Sequence, residues 1–191
     1  MKSRLHNIQI NSFPLWQSGR RLVVFCLISL ALVCAEGPLA ENDAKALYVY
    51  HFAQFTNWPA GAFETDSSPL VIGILGADPF GGALDQVIKG ETVDKRKLLI
   101  RRSGNVNDLK GCNILFIGQN EAGRLAQIIA SLQGTNVLTV SDIPQFCRQG
   151  GMIGIQTEKG KVIFEINVGA ARRAGLRLSS QLLKLARKIV D

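Results

Sequence analysis

Short, wholly apolar runs separated by longer half-apolar segments dominate the chain after its first forty residues. Residues 70–75 (Leu-Val-Ile-Gly-Ile-Leu) are apolar without alternation, the pattern of a strand buried on both faces of a parallel sheet. Residues 97–101, with basic ends, 113–117, apolar but for Asn113, and 137–140 predict three more strands. Residues 152–156 and 161–167 flank Glu158-Lys159-Gly160, which predicts an antiparallel hairpin with glycine in the turn. In its second strand Val162, Phe164 and Ile166 alternate with Ile163, Glu165 and Asn167, so one face is fully apolar and strand 161–167 is expected to end the sheet.

Helical spacing fills the gaps. Ala44, Leu47, Tyr48, His51, Phe52 and Phe55 predict a helix over 43–56 with that face inward, stopped at Trp58-Pro59 because the residue before proline avoids the helical region. Asp78 and Pro79 predict the cap and first position of a helix through Ile88. Asn120 predicts the cap of a helix over 121–132 with Ala122, Leu125, Ala126, Ile129 and Leu132 as its stripe. Asn167 predicts the cap of a brief helix over 170–174, and Gly175 its end. Leu176 and Leu178 flank Arg177 as an extended piece. Ser179 or Ser180 then caps a last helix whose stripe is Leu182, Leu183, Ala186, Ile189 and Val190. The fold class is therefore α/β: a single domain with a mostly parallel sheet, a flavodoxin/Rossmann-like core ending in an antiparallel hairpin, and helices packed outside.

The first 35 residues read differently. Lys2, Arg4, Arg20 and Arg21 precede an apolar run over 22–33, and Val33-Cys34-Ala35 offers small residues where a signal peptidase reads. Residues 1–35 are thus expected to be a secretory signal peptide, cut after Ala35, leaving a domain over 36–191 in the periplasm. An uncleaved anchor is the first alternative, but a bilayer core needs about 20 apolar residues. Lipidation at Cys34 is the second, and Val33 is bulky for the position before a lipidated cysteine. Cleavage changes the charge picture. The chain carries 22 basic and 15 acidic residues, and four of the basic ones lie in the leader, so 18 minus 15 leaves +3. That ordinary surface argues against a nucleic-acid partner.

Candidate chemistry is sparse. His51 alone among histidines follows the leader, and neither Cys112 nor Cys147 stands in a Cys-x-x-Cys arrangement. No Gly-x-Ser-x-Gly elbow occurs, and the carboxylates are scattered. No catalytic, metal or cofactor site is expected. The strand–glycine–helix join at Gly76 to Pro79 could present free amides to an anion, but it lacks a glycine-rich fingerprint and a following lysine.

One resemblance spans nearly all of the chain after the leader. It rests on Phe52-Ala53 with Trp58-Pro59, Gly73-Ile74-Leu75-Gly76, Cys112-Asn113-Ile114-Leu115-Phe116-Ile117 and Val137-Leu138-Thr139-Val140-Ser141-Asp142. It continues through Phe164-Glu165-Ile166-Asn167, Ala171-Arg172-Arg173-Ala174-Gly175 and Leu182-Leu183-Lys184-Leu185-Ala186-Arg187. In order and spacing these resemble the periplasmic YfiR family. The resemblance implies a regulatory binding protein that restrains a membrane-bound diguanylate cyclase of the YfiN kind, lowers cyclic di-GMP, and is relieved by a YfiB-type outer-membrane protein. A homodimer is compatible with it. It also implies that cysteines at positions 112 and 147 each bond a second cysteine; here Gly73 or its neighbour and Gly154 stand at those places, so Cys112 and Cys147 are expected to remain reduced rather than bridged to each other.

For a partner surface the candidates are Glu165, Asn167, Ala171, Arg172 and Arg173: a small residue permits close approach, and charges orient a partner at a rim. The plainer reading gives Asn167 a capping role, Glu165 an arginine of the same chain and Ala171 a place in the core. The alternative function is a periplasmic ligand-binding accessory protein of an outer-membrane receptor or sensor kinase.

Overall fold

A computed structural model describes residues 38–191, with side chains from residue 41 onward. The leader, its cleavage point, Cys26 and Cys34 lie outside the described residues. Among the described residues no helix is long and apolar enough to cross a membrane.

In chain order the elements begin with helix α1 (Pro38–Gln54), strand β1 (Thr56–Asn57), β2 (Leu70–Leu75), α2 (Ala83–Ile88), β3 (Thr92–Val93) and β4 (Arg96–Ser103). Then come β5 (Ile114–Ile117), α3 (Leu125–Ser131), β6 (Leu138–Ser141), β7 (Ile153–Glu158) and β8 (Lys161–Asn167). The chain closes with α4 (Val168–Arg173), β9 (Arg177–Leu178), α5 (Ser180–Leu185) and β10 (Lys188–Val190). Eight strands form one sheet in the order β10-β8-β7-β6-β5-β2-β4-β3, while β1 and β9 pair separately. Strands β4, β2, β5, β6 and β7 are mutually parallel, which is the flavodoxin-like order 2-1-3-4-5. β7 and β8 make the expected hairpin, with Lys159 and Gly160 both at positive φ in its two-residue turn.

The central strands β2 and β5 are buried on both faces, which is why they read as unbroken apolar runs, whereas β4 exposes Lys97, Leu99, Arg101 and Arg102. Ile72, Ile74, Phe116, Val140, Ile153 and Phe164 face the core that includes Val49 and Phe52 of α1. Val71, Leu75, Leu115 and Ile117 face the opposite core with Leu125, Ile128 and Phe146. Among the described residues the parallel sheet, its hairpin and the flanking helices agree with the expected architecture.

Four local expectations need correction. The buried face of α1 carries Ala46, Val49, Tyr50, Phe52 and Ala53, while Leu47 is 45% exposed. Residues 44–55 are apolar almost all round, so periodicity alone could not choose a face. The segment after Asp78 is not helical until Ala83: Asp78 Oδ1 accepts from Phe80 N at 2.7 Å, and Gly81 takes φ +54. The Asp78 side chain closes a local turn instead of opening a helix. Residues Gln119–Arg124 form a 3-10 turn before α3, and the inward residues are Leu125, Ile128 and Leu132, with Ala122 and Ala126 exposed.

The last correction bears on function. α5 stops at Leu185 and Ala186 is extended, so Ile189 and Val190 belong to a strand and not to a helical stripe. β10 runs parallel to β8 with Lys188 opposite Glu165, Ile189 opposite Ile166 and Val190 opposite Asn167. Strand 161–167 therefore does not end the sheet. Its outer backbone groups need partners, and a strand supplies several where one more helical turn supplies none.

Candidate functional site

In a flavodoxin-like sheet the usual ligand crevice lies past the carboxyl ends of the strands where their order reverses, here β2 and β5. Asn120 fills it. Its Oδ1 accepts from Ala77 N at 2.8 Å and its Nδ2 donates to Glu121 Oε1 at 3.1 Å. Gly118 N donates to Leu75 O at 2.9 Å, tying the two loops together. They touch so closely that a Cβ on Gly118 would fall 2.5 Å from Ala77 O, and one on Gly76 would fall 2.5 Å from Asn120 Oδ1. The amides of Ala77 and Phe80 are therefore already taken, the second by Asp78. At the join itself Gly76 N donates to Ser103 O and Ala77 N to Asn120 Oδ1, and Pro79 has no N–H, which leaves Asp78 N alone, too few donors to hold an anion.

At the carboxyl end of β6 a charge network clamps α1 to the sheet. Lys45 Nζ lies 2.9 Å from Glu41 Oε1 and 3.1 Å from Asp142 Oδ2. Thr157 Oγ1 donates to Glu41 Oε1 at 2.7 Å. Burial opposes the Lys45 charge more than any single contact favours it, but the bonds to Glu41 and Asp142 together outweigh burial and raise its pKa. The Thr157 hydroxyl, then Lys45, hold the Glu41 carboxyl below its ordinary value. This cluster couples α1 to β6 and β7.

Both thiols of the described region are free and buried. Burial pushes Cys147 up to about 11 and also raises Cys112, so neither is a poised nucleophile. Each faces a glycine. A Cβ on Gly73 would lie 2.8 Å from Cys112 Sγ, and one on Gly154 would lie 3.5 Å from Cys147 Sγ. The glycines therefore occupy the places from which a second sulfur could reach each thiol.

The five candidate partner residues separate when placed on the fold. Asn167 is buried: its Oδ1 accepts from Ala170 N at 2.8 Å and its Nδ2 donates to Cys147 O at 3.0 Å. It caps α4 and pins the loop carrying Cys147. Ala171 is 1% exposed, so the expectation that it and Asn167 lie on an open surface is corrected. Alternation puts Glu165 on the strand face opposite Phe164 and Ile166; its backbone is held between Gly154 and Lys188, and its side chain is half-buried. Arg172 and Arg173 are exposed.

α4 nevertheless bounds a site. Val168 and Ala171 face Leu176 and Leu178, with Leu183 of α5, across a groove of about 200 Å³ to which Arg172 and Arg177 also contribute. Four local features build it. The Asn167 cap starts α4, and Gly175 at φ +74 stops it, with Gly175 N and Leu176 N donating to Arg172 O and Ala171 O. The β1–β9 pairing then holds Leu178 opposite Thr56, and Ser179 caps α5 by accepting from Leu182 N. Ala171 is thus reached from the groove though hidden from bulk water, and its missing side-chain bulk is part of the groove's volume. The sequence marked Ala171 and Arg172 but not Leu176, Leu178 or Leu183 as lining, because their convergence depends on the return of α5. Arg173 lies on the other flank of α4 and lines a second cavity.

This architecture is accompanied by a family assignment: a family model described as YfiR/HmsC-like matches residues 42–187, and the chain belongs to the YfiR/HmsC-like family.

Proposed function

We propose that this protein is a periplasmic regulator that acts by binding and not by catalysis. It restrains a membrane-bound diguanylate cyclase of the YfiN kind by docking on the cyclase's periplasmic sensing domain, and a YfiB-type outer-membrane protein relieves it. Family membership supports the regulatory class. The observation that carries the docking site is the groove between α4, β9 and α5. Its apolar floor and about 200 Å³ of space suit one large apolar side chain of a partner. Arg172 and Arg177 flank it with positive charge, which suits carboxylates around that anchor. Filling of the fold's usual crevice by Asn120 supports binding over chemistry at that end of the sheet. Regulation follows if the protein binds the cyclase's inactive state more tightly than its active one, for then binding alone shifts the population.

Ala171→Leu fills the groove from its own floor, and Arg172→Glu reverses a flanking charge without touching the core. Both are expected to keep the wild-type fold by circular dichroism and to raise cyclic di-GMP in cells. Unchanged repression by two well-folded variants would remove the groove from the mechanism.

A further inference from the structure

Strand β4 lies at the end of the sheet away from the hairpin, and its outer edge is covered for only part of its length. β3 pairs with it at Val93 opposite Arg96 and Thr92 opposite Lys97. From Leu99 to Ser103 its inner side pairs with β2, while among the described residues no strand lies on its outer side. Ser103 O turns inward, accepting from Gly76 N at 3.1 Å. Backbone groups alternate along a strand, so the N–H and C=O of Ile100 and Arg102 turn outward. Such a row is a template for one more strand.

The side chains decide which strand fits. Lys97, Leu99 and Arg101 alternate onto one face and are all exposed, Leu99 by 51%. In β2, Val71 stands beside Leu99 and Gly73 beside Arg101, so the neighbouring strand offers Arg101 no carboxylate. Asp108, in the turn after β4, accepts from Ser103 Oγ at 2.7 Å. Among the described residues Lys97 and Arg101 enter none of the ion pairs. The opposite face differs. There Arg102 Nε lies 2.8 Å from Asp78 Oδ2 and its Nη2 2.6 Å from Asp85 Oδ2, and Arg96 lies 3.8 Å from the centre of the Phe63 ring. Within the chain, then, the β4 cations of one face are matched, and on the other two cations flank an exposed leucine.

We infer that the outer edge of β4 is a docking site for an extended acidic segment of a partner protein, added to the sheet as a further strand. Ile100 and Arg102 offer it their backbone groups. An apolar side chain opposite Leu99 and a carboxylate opposite Arg101 complete the match, with Lys97 attracting the same segment from the diagonal position. A second copy of this chain fits poorly. β4 paired antiparallel with itself would gather Lys97 and Arg101 of both copies on one face, and like charges across strands destabilise a sheet. No residue of β4 lines the groove beside α4, so this surface and the cyclase reading can fail separately.

The test titrates a capped, fluorescein-labelled peptide, Thr-Glu-Thr-Val-Thr-Glu-Thr, into protein purified from the cell envelope. Its symmetry places a glutamate two residues from the valine in either strand direction. The expected result is one saturable site. A peptide with lysine for both glutamates, and one N-methylated at the two threonines flanking valine, should each bind at least about tenfold more weakly. Arg101→Glu should weaken the acidic peptide at least about tenfold and strengthen the lysine peptide, with the melting temperature retained. Leu99→Ser should weaken binding, and Leu47→Ser, at an exposed apolar residue of α1, should leave it unchanged. No binding at millimolar peptide, equal affinity for the acidic and lysine peptides, or indifference to N-methylation or to Arg101→Glu would each overturn the inference. A wild-type dimer in sedimentation that Arg101→Glu converts to monomer would give the edge to a second copy and overturn it as well.

Discussion

Gly154→Cys is expected to bridge Cys147 and stabilise the protein. A Cβ at position 154 meets Cys147 Sγ at 3.5 Å and Phe146 Cβ at 3.6 Å, ordinary contact distances, so the new side chain enters without displacing the core. Gly154 sits in β7 without the positive φ that a side chain would strain. The two sulfurs would close a loop of about eight residues, for which chain entropy gives about 2.5 kcal/mol. A domain of this size shifts its melting temperature by roughly 2–4 °C per kcal/mol, so the oxidised variant should melt roughly 5–10 °C above its reduced form. Because burial pushes Cys147 up to about 11, the thiolate is scarce and the bridge should need an oxidant or formation during folding. The assay compares mass and thiol content of the unfolded variant before and after oxidation, then melts both forms. A loss of two hydrogens and two reactive thiols is expected. If oxidised Gly154→Cys keeps all its thiols, the placement of Cys147 against Gly154 is wrong; if it bridges but melts no higher, the entropy argument fails. Gly73→Cys is a harder case, since its Cβ would meet Leu115 Cδ1 at 3.0 Å as well as Cys112 Sγ at 2.8 Å.

Three further outcomes follow from the same geometry. Lys45→Met leaves the Asp142 carboxylate buried beside an apolar side chain and should cost about 3–5 kcal/mol by denaturant unfolding, with Asp142→Leu added to it restoring most of the loss; a single-variant cost under about 1 kcal/mol would show the pair to be idle. Native protein at neutral pH should leave Cys147 unmodified by iodoacetamide while the unfolded chain is labelled, and rapid labelling of the native form would contradict the burial that raises this thiol. Asn167→Ala removes the cap of α4 and the donor to Cys147 O, for a loss of about 2–3 kcal/mol, whereas Asn167→Asp should keep the cap and lose only the second bond; equal effects of the two changes would dismiss the cap.

The features legible along the chain are those governed by a residue and its near neighbours. A strand buried on two faces must be apolar at every position, so Leu70–Leu75 and Ile114–Ile117 announced themselves. The Lys159-Gly160 turn, the Asn167 cap and the Gly175 stop each depend on one backbone conformation that few residues adopt. Other features depended on what lay across the fold. Residues 188–190 carry a helical spacing, yet they became β10 because the edge of β8 offered unpaired backbone groups that helix propensity could not match. Asn120 has the side chain of a helix cap, yet Ala77 N of the neighbouring crossover claimed it. Ala171 could be read either as partner surface or as core and became the floor of a groove, since its surroundings are set by Leu178 and Leu183 arriving through the β1–β9 pairing and the return of α5. Backbone preference acts over a few residues and can be read in order. Which face is covered, and which donor finds which acceptor, is decided by packing between segments that meet only when the sheet closes.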